Sequence, residues 1–273
     1  LLRILAVKKK AKKRWIAFAI ILLLLATAWY YEKKVIRYSY KAYRFYKTLT
    51  RKDVKYGRFQ PIEFPYGYKI HGVDVSRWQD EVDFYKLKTK TLDNDTLVFK
   101  FAFIKATEGI LLEDPMFEDN WENAKDAKIV RGAYHYYIPS YDPKKQARNF
   151  YTSVKLQRGD LPPVVDIEEI GKLKKGELVK NLKIFIAEIE KKYSVKPIIY
   201  SNISFIEDYL ADDFSNYKFW IAHYYEEELI VESSIKWLFW QHTDKAFIFG
   251  SNQLIDANVF NGNEADFKKI LIR

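Results

Sequence analysis

The sequence predicts an α/β barrel, a parallel sheet closed on itself and dressed with helices, and three observations carry that reading. From Lys69 onward, eight short apolar, β-prone runs follow one another, with helix-period segments between the early ones. The runs are nearly continuous in apolar residues, as strands covered on both faces are. Polar and ionisable residues recur at the C-terminal end of one run after another, which is where a parallel barrel gathers its chemistry. An open doubly wound sheet is the main competitor, but it usually brings a Gly-rich phosphate loop, and neither GxGxxG nor GxxxxGK[ST] occurs.

In chain order, residues 1–14 form a basic flank in which Lys8 to Arg14 carries six cations in seven positions. Residues 15–31 (WIAFAIILLLLATAWYY) are 17 positions without a charge. That length is at the lower bound for a helix crossing about 30 Å of hydrocarbon, and Trp15, Trp29, Tyr30 and Tyr31 fall where interfacial aromatics belong. The expectation is an uncleaved membrane anchor with the domain on the non-cytoplasmic side. Ala26-Thr27-Ala28 also fits a signal-peptidase site, so cleavage after Ala28 and secretion is the alternative. Residues 32–66 alternate cations with tyrosines and read as a basic stalk near lipid headgroups or a solvated tether. Pro61, Pro65 and Gly67 mark the boundary with a globular domain over 67–273.

Within that domain the strand candidates are HGVDVS (from His71), FAFIKAT (Phe101), VRGAYHYY (Val130), PPVVDIEE (Pro162), PIIYSN (Pro197), FWIAHYY (Phe219), WLFWQHT (Trp237) and QLIDANVF (Gln253). Helices are expected at 83–90, 116–128, 142–156 and 174–193, the last with Leu178, Leu182, Phe185, Ile186 and Ile189 at helical spacing. Between the last strands the helices should be short or missing.

Charge narrows the function. The net +10 suggests nucleic acid at first sight, but residues 1–60 hold 17 Lys+Arg against Glu32 and Asp53 alone, which leaves the remainder mildly acidic. No nucleic-acid partner is expected. The chain has no cysteine, and its four histidines show no HxH or HExxH spacing, so thiolate chemistry is excluded and a transition-metal site has weak support; a hard Mg²⁺ or Ca²⁺ held by carboxylates stays open, and no cofactor is expected.

Asp74, Lys105 with Glu108, Tyr134 with Tyr136, Asp166 with Glu168, Tyr200, Trp220 with Tyr224, Trp240 with Gln241, and Asp256 end successive runs. An isolated Asp at a strand end is usually a cap or turn residue. Several carboxylates converging on one mouth among aromatics need another explanation. In VVDIEE, Asp166 and Glu168 are two apart and face the same way on a strand. Like charges that close raise at least one pKa, which keeps an acid protonated near neutral pH. Paired carboxylates in an aromatic cleft suit glycoside hydrolysis. A non-catalytic glycan-binding barrel and a chitinase-like hydrolase are the rival readings.

The motifs HGVDVSRWQ (71–79), FIKATEG (103–109), RGAYHYY (131–137), PPVVDIEE (162–169), PIIYSN (197–202), FWIAHY (219–224), WLFWQHT (237–243) and IDANVF (255–260), in this order, resemble glycoside hydrolase family 25, the lysozymes of peptidoglycan. The resemblance implies a flattened TIM-like (β/α)5β3 barrel, a monomeric catalytic domain, and cleavage between N-acetylmuramic acid and N-acetylglucosamine. It implies Glu168 as catalytic acid, Asp166 assisting, and Asp74 and Asp256 completing the acidic floor. Trp78, Lys105, Glu108, Tyr134, Tyr136, Tyr200, Trp220, Tyr224, Trp240 and Gln241 would then shape the sugar subsites. Whether the substrate's own acetamido group or a water attacks stays open. His242, where the family commonly has Tyr, and the apolar stretch 245–253 depart from the pattern and bear on subsite preference.

Overall fold

The computed structural model describes residues 64–90 and 96–273 and, before them, only residues 15, 18, 20–24, 27, 31 and 42. Much of the expected anchor at 15–31 and nearly all of the stalk at 32–66 therefore lie outside the described residues. Those described between 15 and 31 are helical, and among the described residues no helix is long and apolar enough to cross a membrane. The chain divides into two compact units, residues 1–54 and 55–273.

The second unit is built on strands β1 (His71–Val75), β2 (Lys88–Lys90), β3 (Thr96–Val98), β4 (Phe101–Glu108), β5 (Leu112–Glu113), β6 (Val130–Tyr136), β7 (Val164–Asp166), β8 (Ile198–Asn202), β9 (Lys218–Ala222), β10 (Trp237–Ala246) and β11 (Ile255–Phe260). Eight of them close a barrel in the order β1, β4, β6, β7, β8, β9, β10, β11 and back to β1. All neighbours are parallel except β11, which runs antiparallel to both β10 and β1. This corrects the all-parallel expectation. Only residues 247–254 join β10 to β11, a hairpin-scale link too short for a crossover, whereas the parallel β9 and β10 are joined by the longer 223–236.

Helices α1 (Phe117–Asp126), α2 (Pro143–Ser153) and α3 (Lys175–Tyr193) occupy three of the four predicted positions. Asp142 caps α2 by accepting from Lys145 N at 2.9 Å, with Pro143 in the first turn. The helix expected at 83–90 is not formed. A 3-10 turn covers Phe84–Lys86, and Lys88–Lys90 pairs antiparallel with Thr96–Val98 as a small ribbon. After β8 the chain makes only a helical turn and a π-helical turn through Leu210, and after β9 no helix, in line with the expected thinning of helices between the last strands. A further helix, α4 (Glu264–Ile270), starts at Asn263, which forms a capping box with Asp266.

Strand alternation sorts the side chains into two cores. Phe101, Phe103, Val164, Ile198, Trp220, Phe239 and Phe260 fill the barrel, while residues of the opposite parity on the same sheet, such as Val73, Ile104, Val165, Ile199, Ile221 and Val259, pack in the layer outside it. The interior is tight enough to demand glycine. A Cβ on Gly72 would lie 2.3 Å from the Phe101 ring, and one on Gly132 2.6 Å from Phe103. Above this apolar plug, toward the C-terminal ends of the parallel strands, the same inward parity continues into polar residues.

Candidate active site

The polar residues surround a cleft of about 270 Å³ at the barrel mouth. Its floor is the pair formed by Asp74 on β1 and Asp256 on β11, which stand opposite each other in the antiparallel register. Because β11 is reversed, Asp256 reaches the mouth from the start of its strand, not from its end. Asp74 Oδ2 accepts hydrogen bonds from Gln241 Nε2 at 2.8 Å and Asn258 Nδ2 at 2.7 Å. Both amides are held in that orientation from behind. Tyr200 and Tyr224 hydroxyls donate to Gln241 Oε1 at 2.7 and 2.8 Å, and Trp220 Nε1 donates to Asn258 Oδ1 at 2.7 Å. Burial raises the pKa of Asp74 despite these donors, and raises that of Asp256 further, with the Asp74 charge as the next cause. Asp256 is thus the protonated member and donates to Asp74.

This proton has a stability consequence. The unfolded chain releases it near pH 3.9, while the folded chain keeps it to higher pH. Between those limits the native state binds more protons, so the contribution of Asp256 to stability falls as pH rises. Asp256→Asn keeps a donor toward Asp74 and has no proton to lose. It is expected to raise the unfolding temperature at pH 7 and to change it little near about pH 3; equal shifts at both pH values, in a calorimetric scan, would contradict this assignment.

The second acidic pair stands on β7 and the turn after it. Asp166 is buried, paired in register with Tyr136 and Tyr200, and its Oδ1 has no hydrogen-bond partner. Glu168 lies beyond the strand end at the solvent-facing rim of the cleft. Burial pushes the Asp166 pKa well up, followed by the negative charge of Glu168, and the two carboxyls share a hydrogen bond. Glu168 is also raised, first because the cleft walls displace water from its carboxyl. Lys105 opposes both shifts. Its Nζ lies 2.7 Å from Glu108 Oε2 and 4.9 Å above the Tyr136 ring.

Twelve of the fourteen residues predicted for the site line the cleft. Trp78 stands at its rim, 71% exposed, with the Arg77 guanidinium 5.0 Å from its ring centroid. Trp220 forms part of the wall from below, stacked on Phe103 at 4.2 Å. Glu108 reaches the cleft only through Lys105. Trp240 is placed elsewhere. Phe239 and Gln241 take the inward parity of β10, so Trp240 faces out, fully buried, donating to His223 O at 2.7 Å. His242 also faces outward, its ring 5.3 Å from Phe64 and 5.9 Å from Trp240, so its departure from the family pattern does not alter the cleft. Burial, and then the charge of His71, lower its pKa to about 3. Val75, Ser76 and Gln79 line the cleft without having been singled out, although they belong to the same GVDVSRWQ run as Asp74 and Trp78. Among the described residues no group of three or more His, Asp or Glu is arranged to hold a metal ion.

Comparison with known proteins gives a consistent picture. The model of the glycosyl hydrolases family 25 matches residues 73–251. The "Uncharacterized protein YegX" of Escherichia coli O157:H7 is 43% identical over 207 residues, covering 76% of this chain and 75% of that protein. Lysozyme M1 of Streptomyces globisporus is 28% identical over 210 residues, 72% of this chain and 69% of the relative. Among solved structures, a family 25 glycosyl hydrolase from Bacillus anthracis matches with a TM-score of 0.68 at 31% identity, covering 78% of this chain and 98% of that one.

Proposed function

Since this chain belongs to glycosyl hydrolase family 25, we propose that it is a muramidase, cleaving the β-1,4 bond between N-acetylmuramic acid and N-acetylglucosamine in peptidoglycan, with Glu168 as acid and Asp166 assisting. The observation that best supports the reading is the Asp166–Glu168 pair, two carboxyls with raised pKa values joined by a hydrogen bond at the mouth of a cleft. A protonated Glu168 donates to the glycosidic oxygen as the bond to the muramic-acid C1 breaks. Asp166, Asp74 and Asp256 form the acidic floor beneath the positive charge that develops at C1. Before sugar binds, the deeper Asp166 holds the shared proton more firmly, and sugar covering Glu168 would remove water from it and draw the proton outward. The unpartnered Asp166 Oδ1 is an acceptor suited to the substrate's acetamido N–H. Attack by the acetamido oxygen followed by water, or by water directly, leaves the same reducing muramic-acid end.

The domain limits, 67–273 for the barrel after a 32–66 stalk and a 15–31 anchor, belong to the same proposal, as does an envelope location with the barrel outside the cytoplasm. The experiment is to incubate the full chain with purified peptidoglycan and, separately, with chitin oligomers. Soluble fragments from peptidoglycan alone are expected. Digestion of chitin alone would move the assignment to a chitinase-like enzyme, and binding to the wall without digestion to a glycan-binding protein. Fractionation of cells producing the full chain tests the anchor: recovery of an intact N-terminus in the membrane fraction is expected, and a soluble form beginning after Ala28 would show cleavage instead.

A further inference from the structure

We infer that Lys105, held by Glu108 across a bulge in β4, is a positioning residue that sets the pH window in which the Asp166–Glu168 pair can hold and deliver its proton. The inference rests on the muramidase reading and concerns how the same site is tuned.

The local geometry is unusual for a strand. Residues three apart on a regular strand face opposite sides, yet Lys105 and Glu108 form an ion pair at 2.7 Å. The register of β4 on β6 explains it, passing from Lys105↔Tyr134 directly to Thr107↔His135, so that one extra β4 residue is accommodated. A bulge of this kind re-aims side chains and is frequent beside active sites. The segment that carries Glu108 is pinned from behind by Asn149 on α2, whose Nδ2 donates to Gly109 O and Leu112 O, each at 3.1 Å. The Lys105 side chain is only 11% exposed. A long flexible cation is thereby fixed, with an anionic partner on one side and the Tyr136 ring on another.

Lys105 is the sole cation among the residues that line the cleft. Facing the acid pair are Asp74 from β1, Glu169 from the same turn, and the Tyr134, Tyr136 and Tyr200 phenols from β6 and β8; Asp256 on β11 lies behind Asp74. His135, on the outer face of β6, is kept neutral by burial. Every other ionisable group around the pair is therefore anionic or neutral, and Lys105 alone favours its ionised form. Without that cation the carboxyls would hold their protons to higher pH; with its charge undiluted by Glu108 they would release them sooner.

The test is the pH profile of peptidoglycan digestion by the full chain. Activity requires one protonated and one ionised carboxyl, so both limbs move with the pair. Lys105→Met is expected to shift both limbs to higher pH by about one unit, and Glu108→Gln, which keeps an acceptor for the ammonium but removes the charge, to lower pH. A purely structural role would lower the rate at every pH without moving the limbs, and limb position does not depend on how much variant folds. If Lys105→Met does not fold, the downward shift in Glu108→Gln decides. Unmoved limbs in an active enzyme overturn this inference alone, whereas a wild-type chain that digests no peptidoglycan overturns the muramidase reading and this inference with it.

Discussion

Glu168→Gln is expected to slow peptidoglycan digestion by about 10²–10⁴-fold, the usual contribution of a positioned general acid. The amide is nearly isosteric and can still accept the hydrogen bond from Asp166, but it has no proton to give the leaving oxygen. Stability should not suffer. Glu168 lies at the rim, and removing its charge relieves repulsion that bears on Asp166 and Asp74. The unfolding temperature is therefore expected to equal or slightly exceed that of the wild type. A variant that digests peptidoglycan at the wild-type rate would remove Glu168 from the role of acid, and one that fails to fold would show that the residue is structural.

Arg131→Met is expected to do the opposite, destabilising the barrel by about 3–5 kcal/mol while the rate per folded molecule stays unchanged. Arg131 is buried at the start of β6, away from the mouth, where Nε meets Asp160 Oδ1 at 2.9 Å and Nη1 meets Trp121 O at 2.9 Å. Its guanidinium also lies 4.1 Å from the Trp121 ring centroid. Asp160 accepts from Gln157 N at 2.6 Å, which ties the loop before β7 to the same centre. Removing the cation leaves a buried carboxylate without its charged partner, the costly way to break such a pair. For a domain of this size the loss corresponds to a fall in unfolding temperature of roughly 10 °C, measurable by calorimetry. A shift of a degree or so would mean that Asp160 finds water or another donor.

Strand parity made the mouth readable. Asp74, Lys105, Tyr134, Asp166, Tyr200, Trp220 and Gln241 all stand on the inward-facing positions near the ends of apolar runs, and all line the cleft. The same rule could have placed Trp240 outside, because Gln241 and Trp240 are adjacent and cannot both face inward. Lys105 with Glu108 was legible as a pair of polar residues but not as a clamp, since a bulge leaves no mark here that a run of apolar residues shows. Asn258 is buried outside the cleft lining, two residues along the strand from Asp256, and its role depends on Asp74 and Trp220, which meet it only after the barrel closes. The reversal of β11 was hidden for a related reason: an apolar run has no direction, and only the short 247–254 link carries the signal. In the 83–90 segment, local helix propensity lost to pairing with Thr96–Val98.

The measurement that tests the central claim most directly is the chemical identity of the new chain ends. Purified peptidoglycan is digested by the full chain, the fragments are reduced with borohydride, and their termini are read by mass spectrometry beside a Glu168→Gln control. Fragments ending in reduced N-acetylmuramic acid, present with the wild type and absent with the variant, are the predicted result. Termini of reduced N-acetylglucosamine, or fragments released equally by the variant, would contradict it.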